Sequence, residues 1–319
     1  MGMEADVLDE ALHEFGMSGV FYAVSELAAP WGIAMPPMPG TMVFHLLTYG
    51  DAVIEVGETR VRVRPGDLLL VTHGTGHAIL DQAGSTPTPL FELPRVEQTD
   101  RYERISLPGD GARSELICGA VSFTGVGVGR LVRSLPPVLL VGRDEDSPWQ
   151  RAALEVIAAE SRRPQPGSDV VTARLADVLV VQAVRSWLES AAPDRGWVAG
   201  LRDPLLGRAL SAFHADPAGQ WSLESLARTA GMSRSAFAAR FTDLVGETAI
   251  GYVTAWRMDL AARLVREQSL PLSRVAERVG YRSEAAFNRA FRRVHGLTPG
   301  AFARRGTTFL DRVEVPALT

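Results

Sequence analysis

The sequence predicts an α+β multidomain protein: an N-terminal β-barrel or sandwich, connecting helices, and a C-terminal all-α domain with tandem helix-turn-helix units. Three observations predict it. Short alternating apolar and polar runs, punctuated by glycine turns, fill residues 20–130. Two helical runs follow, near 147–162 and 168–190, the second apolar nearly all round. The stretch "GMSRSAFAARF" at 231–241 then returns as "GYRSEAAFNRAF" at 280–291. A chain of 319 residues with 46% hydrophobic content can bury two cores. The expected divisions are a barrel domain at 1–145, a helical dimerisation or connecting segment at 146–195, and a helical domain at 196–308. Its two units are expected at 222–246 and 272–296.

Composition narrows the class. One cysteine, Cys118, excludes an intramolecular disulfide framework and fits a reducing compartment. The beginning "MGMEADVLDEALHEF" is acidic and amphipathic, unlike a signal or transit peptide. Its Val7, Leu8, Leu12 and Phe15 would share one face of a short helix. No apolar run approaches the ~18 residues of a membrane span, so no membrane partner and a cytoplasmic location are expected. The net charge of −4 conceals an asymmetry. Residues 1–195 hold 16 Arg against 26 acidic residues, and residues 196–319 hold 17 Arg against 11. A basic C-terminal third behind an acidic body suits a chain of which only that third meets a polyanion. All 33 basic residues are arginine, a bias that GC-rich coding explains equally well.

The β elements are read from period-2 alternation in "AVIEVGETRVRVRPGDLLLVTHGTGHAIL", with turns at "YGD", "VGE", "RPGD" and "HGTGH". "LPPVLLV" at 135–141 closes this region. "RRPQPGSD" then breaks the two helical runs apart. The second run is apolar nearly all round, through Val171, Leu175, Val178, Leu179, Val181, Val184 and Leu188. Such a helix needs cover on more than one side, from its own β-domain or from a second subunit. "SAAPDRGWVAG" at 190–200 reads as the linker.

The repeat specifies its own architecture. At an offset of fifty, Ser233, Phe237, Phe241, Gly246 and Thr248 match Ser283, Phe287, Phe291, Gly296 and Thr298. Ala227 and Gly231 match Ala276 and Gly280 at forty-nine. Each unit therefore has a short helix, a glycine that ends it in the left-handed region, and a serine that caps the next helix. Small Ala227 and Ala276 sit where two helices cross, and phenylalanines four apart bury one face. The run "IGYVTAWRMDLAARLVREQ" joins the units as a single helix.

Residues from roughly 203 to 305 resemble the DNA-binding domain of the AraC/XylS family of bacterial transcription regulators. The runs "WRMDLAARLV" and "VAERVGYRSEAAFNRAFRRVHGLTPGAF" carry the resemblance. Family members often have proline after the threonine that follows the first recognition helix, where this chain has Ala249. The resemblance implies double-stranded promoter DNA as a partner, RNA polymerase as another, and two recognition helices entering successive major grooves about one turn apart. In the second unit, Glu284, Ala285, Asn288 and Arg289 are candidate base contacts, with Arg289 suited to guanine and Asn288 to adenine. Arg282, Ser283, Arg292 and Arg293 are candidate phosphate contacts, with Arg304 and Arg305 extending the basic surface. By similarity, Ser235, Ala238 and Ala239 face bases in the first unit. Their small side chains predict weak direct readout, with Ser233, Arg234, Arg240 and Arg257 on phosphates.

The stretches "GTMVFHLLTYGDAVIEVG" and "RPGDLLLVTHGTGHAIL" resemble the two motifs of the cupin barrel, with His45 and His77 at the motif histidine positions. Motif one lacks the second histidine of a metal-binding cupin. Three readings stay open. His45, His73 and His77 line a small-molecule effector pocket with Trp31, Phe44, Tyr49 and Phe91 nearby, or the histidines are structural. Otherwise His45, His77 and Cys118 hold zinc or another divalent metal, as in a metal sensor or a metal-dependent cupin enzyme with an appended helical module. The expected function is a non-enzymatic, sequence-specific regulator, effector-controlled and homodimeric.

Overall fold

The computed structural model describes residues 16–99, 102–124, 126–142, 148–163, 165–190, 194–267 and 270–304. The expected N-terminal helix at Val7–Phe15 and the basic Arg305 lie outside them. The described residues fall into two compact units. One comprises Met17–Phe123 and Leu135–Ser190; the other takes in Thr124–Ser134 and the described residues from 194 onward.

The first unit is a β-sandwich of the predicted cupin-like kind. Its strands are β1 (Gly16–Ala28), β2 (Gly32–Met35), β3 (Thr41–Tyr49), β4 (Ala52–Val56), β5 (Thr59–Val63), β6 (Leu68–Val71), β7 (His77–Leu80), β8 (Thr88–Pro89), β9 (Arg95–Thr99), β10 (Tyr102–Leu107), β11 (Arg113–Thr124) and β12 (Val138–Val141). One sheet runs β12-β6-β3-β11-β1-β10-β9 and the other β5-β4-β7-β2-β8. The strand "LPPVLLV" does close the unit, with β12 pairing antiparallel to β6 at the sheet edge. Strand β3 is buried on both faces, Met42 to Leu47 all inaccessible to solvent. On one face Phe44 packs against Tyr22, and the other face carries His45 toward the second sheet. A strand covered on both sides reads as a continuous apolar run, which is why β3 alternates less than β4 and β5.

Helices α2 (Pro148–Arg162) and α3 (Ser168–Ser190) pack on each other in the same unit. The Tyr22 hydroxyl on β1 donates to Asp177 Oδ1 on α3 at 2.7 Å. Leu179, Val180, Ala183, Val184 and Leu188 are buried, whereas Val171 and Val178, seven residues apart, are 41% and 48% exposed. One stripe of the all-round apolar helix thus faces the sheet and another is left open.

The second unit holds α1 (Val128–Ser134), α4 (Trp197–Arg202), α5 (Leu206–Ala215), α6 (Leu223–Thr229), α7 (Arg234–Val245), α8 (Ala249–Arg266), α9 (Leu272–Arg278), α10 (Glu284–His295) and α11 (Pro299–Arg304). The expected boundary at 145 differs here. Residues 124–134 were grouped with the barrel, but Val126, Val128 and Leu131 are buried in the helical unit. Gly125, Gly127 and Gly129 open that excursion and Pro136–Pro137 follow it, but such breaks mark any strand connection and do not say which core the residues between them enter.

Candidate nucleic-acid interface and barrel interior

The repeat is equivalent down to single hydrogen bonds. Gly231 and Gly280 take φ of 68° and 79°, and the amides beyond them, Met232 and Tyr281, both donate back at 2.9 Å, to the Ala227 and Ala276 carbonyls. Ala227 and Ala276 are buried, leaving room for the helix crossing. Ser233 Oγ accepts from the Ala236 amide at 3.3 Å and Ser283 Oγ from the Ala286 amide at 3.2 Å, capping α7 and α10. Each serine uses its oxygen as acceptor for the cap and keeps a hydroxyl proton to donate, which for Ser233 has Ser235 Oγ at 3.4 Å as one partner. Phe237, Phe241, Phe287 and Phe291 are almost wholly buried. Thr248 caps α8 through the Gly251 amide although Ala249 stands where family members often have proline. Helix α8 connects the two units without a break.

The outward face is set by these buried positions. Ser235, Ala239, Glu284, Ala285 and Arg289 are exposed, and Ala238 is half-buried. Arg234, Arg292 and Arg293 are exposed along the same helices. Two other expected DNA contacts, Arg257 and Arg240, have duties inside the protein. Arg257 is half-buried and donates to the carbonyls of Pro217 at 2.7 Å and Gly219 at 2.6 Å, holding the α5–α6 loop. These two bonds turn Nε and Nη2 toward the backbone, so the expected phosphate role of Arg257 has only the remaining guanidinium donors left to it. Arg240 Nε donates to Asp203 Oδ2 at 3.0 Å, while Asp203 Oδ1 accepts the Leu205 and Leu206 amides that begin α5. Burial pushes the Asp203 carboxyl up, but Arg240 and the two amides outweigh it and hold the group below its ordinary value. Arg240 is still half exposed, so it can offer a phosphate only the guanidinium edge turned away from Asp203. Asn288 is half-buried, and its Oδ1 is enclosed without a hydrogen-bond partner among the described residues. The amide bidentate to adenine therefore requires a rotamer change. Arg282 Nη2 donates to Gln220 Oε1 at 3.2 Å on the exposed surface.

In the sandwich, His45 on β3 lies opposite Cys118 on β11, and His77 on β7 reaches across from the other sheet. His45 Nδ1 is 3.0 Å from Cys118 Sγ, His45 Nε2 is 2.7 Å from His77 Nε2, and His77 Nδ1 is 2.8 Å from the Thr75 carbonyl. A carbonyl only accepts, which fixes the direction of the whole chain. His77 Nδ1–H donates to Thr75, so its Nε2 accepts from His45 Nε2–H. His45 Nδ1 then accepts from the Cys118 thiol. Every donor and acceptor is satisfied with all three groups neutral. Burial, with the His77 ring second, lowers the His45 pKa well below its ordinary value. Burial lowers that of His77 against the opposing Thr75 bond, and burial raises the Cys118 thiol to about 12.

The same geometry corrects the metal expectation for His45, His77 and Cys118. The thiol and His77 approach opposite nitrogens of one imidazole, so the three cannot point at one ion. No group of three or more His, Cys, Asp or Glu among the described residues is arranged to hold a metal. His73 is exposed, whereas His45 and His77 are enclosed. Tyr49 is 59% exposed and lines no interior pocket. Trp31 is buried, and its indole N–H has no acceptor among the described residues.

A second network, which sequence reasoning missed, anchors the helical unit. The Trp197 indole donates to the Tyr252 hydroxyl at 2.8 Å, and that hydroxyl lies 2.7 Å from His214 Nε2. The indole can only donate, so Tyr252 accepts it and donates to an unprotonated His214. The His214 ring stacks on Trp256 with centroids 3.9 Å apart. The aromatic spacing 252/256 on one helix was the available signal.

Comparison with known proteins agrees with both units. The cupin family matches residues 6–189, and the helix-turn-helix domain family matches residues 226–305. A putative AraC-like transcription regulator of Streptomyces antibioticus is 35% identical over 276 residues, covering 83% of this chain and 88% of that protein. The HTH-type transcriptional regulator AlkR of Acinetobacter baylyi is 28% identical over 300 residues, covering 92% of this chain and 97% of its own. Among solved structures, the DNA-binding domain of the global transcriptional factor AdpA, in complex with a target DNA, is 33% identical. It covers 32% of this chain and 90% of that one, with a TM-score of 0.30.

Proposed function

The chain belongs to the AraC-like transcription regulators, and on that footing we propose how its residues divide the work of a sequence-specific DNA-binding regulator. Helices α7 and α10 enter successive major grooves of a promoter duplex. Arg289 reads a base edge, Asn288 joins it after turning its amide outward, and Glu284 and Ala285 shape the same contact. Ser235, Ala238 and Ala239 give the first unit a smooth face that meets thymine methyls and selects weakly. Ser233, Arg234, Arg282, Ser283, Arg292 and Arg293 grip phosphates, with Arg240 as a marginal member. The single observation that supports this division best is the matched pair of serine-capped helices, one with exposed Arg289, Arg292 and Arg293 and the other with exposed small residues.

The β-sandwich acts as a sensor rather than an enzyme. Its effector is a small molecule that offers an acceptor to the unpaired Trp31 N–H. The exposed Val170, Val171 and Val178 on α3, with the exposed Val156 on the α2 that packs against it, support a homodimer formed by a second copy of this surface. RNA polymerase is the further partner expected of a regulator that activates. No helix among the described residues is long and apolar enough to cross a membrane. The division of DNA contacts is tested by Arg289→Ala and Arg292→Ala in the full-length protein. Arg289→Ala should cost about 1–3 kcal/mol on cognate DNA and relax preference at one base position. Arg292→Ala should weaken cognate and random duplex alike and flatten the salt dependence. Equal losses on both DNAs for Arg289→Ala would remove it as a base reader.

A further inference from the structure

Residues 124–134 leave the β-sandwich between β11 and β12 and serve the helical unit instead. Val126, Val128 and Leu131 are buried there. Gly127 has φ of 87°, and a Cβ at this position would stand 2.6 Å from the Trp256 ring, so the backbone lies directly on α8. From this strap Arg130 extends its guanidinium 4.5 Å above the centroid of the Tyr252 ring and donates to Glu247. The side chain is only 10% exposed, and its Nε has no partner among the described residues. Glu247 occupies the turn between α7 and α8, and Tyr252 is one turn inside α8, fully enclosed and bonded to Trp197 and His214. A cation removed from water is held by whatever pairs with it, here the Glu247 carboxylate and the Tyr252 face, with the Asp259 carboxylate of α8 also within its field. Arg130 therefore fixes the junction at which the first recognition helix passes into the linker helix.

We propose that Arg130, which lies outside the sequence of the DNA-binding domain, is a positioning residue for the first helix-turn-helix unit. It sets the angle of α7 on α8 through Glu247 and Tyr252 and touches no DNA itself. Arg133, one turn further along α1, is exposed and shares the field of Asp259, whereas the Glu247 bond and the Tyr252 face belong to Arg130, so it controls for charge alone. The inference rests on both units reading DNA, so its test has one arm with DNA and one without.

The arm without DNA is hydrogen exchange in the full-length protein. Arg130→Ala should speed exchange at amides 245–256, and Arg133→Ala should leave them as in the wild type. The arm with DNA is a single-base substitution scan of the protein's own upstream DNA, read by mobility shift. The wild type should show two clusters of sensitive positions about one helical turn apart. Arg130→Ala should lower discrimination at one cluster by about tenfold, leave the other intact, and keep affinity for random duplex. Should Arg130→Ala fold poorly, Glu247→Gln breaks the same pair from the opposite side and should give the same one-sided loss. Unchanged exchange in Arg130→Ala, equal weakening of both clusters, or the same one-sided loss in Arg133→Ala would each overturn the proposal. A wild-type scan without two clusters would count against two-unit reading, and the clamp would then stand or fall on exchange alone.

Discussion

Acidification should loosen the helical unit at one histidine. Burial, with the nearby Arg130 charge second, lowers the His214 pKa from 6.5 to about 3. Its Nε2 accepts from Tyr252, so a proton there would set donor against donor. The sign follows from linkage: the unfolded chain binds this proton below pH 6.5 and the folded one does not until about pH 3. The stabilising contribution is therefore complete above pH 6.5 and is lost progressively below it. Going to pH 5 crosses about 1.5 units at about 1.4 kcal/mol each, a loss of up to about 2 kcal/mol. His214→Gln keeps an acceptor for the Tyr252 hydroxyl and cannot take the proton. Urea unfolding of both proteins at pH 7.5 and pH 5 isolates the effect, because all other titrating groups are shared. The wild type should lose up to about 2 kcal/mol more than the variant over that interval. Identical losses would refute both the tautomer deduced for His214 and the network built on it.

The remaining predictions concern the sandwich and the open face of α3. Cys118→Ala leaves His45 Nδ1 buried without a donor and should cost about 1–3 kcal/mol in chemical denaturation, with Cys118→Ser recovering part of it through its hydroxyl. His45 and His77 should add acid sensitivity of the same sign, so His77→Gln should flatten the stability of the first unit between pH 7 and 5. Val178→Asp places a charge in the exposed apolar stripe and should convert dimer to monomer in light scattering while leaving the circular dichroism spectrum unchanged.

What the sequence disclosed follows from how local each feature is. The tandem units were legible because capping serines, turn glycines and crossing alanines act within a few residues, and their fifty-residue recurrence left little freedom. Strands β4 and β5 were legible by alternation, and β12 by its apolar run. The roles of Arg240 and Arg257 were not, since Asp203 and the Pro217–Gly219 carbonyls reach them from about forty residues away. An exposed-face pattern cannot distinguish an arginine that waits for phosphate from one that holds a loop. The His45–Cys118–His77 chain was foreseen as a group, but its order depends on which ring nitrogen each neighbour meets, a fact of strand register. The strap at 124–134 was invisible for a related reason. Its apolar residues look like any strand-to-strand connection, and only the Trp256 ring and Tyr252 network across from it reveal which core they enter.

The central claim is that this chain recognises a particular duplex through its paired helices. Mobility shift of the full-length protein on its own upstream DNA, against excess random duplex at physiological salt, tests it most directly. A shift that survives competition is the predicted result. A shift lost to random duplex in equal measure, with and without candidate effectors, would contradict it.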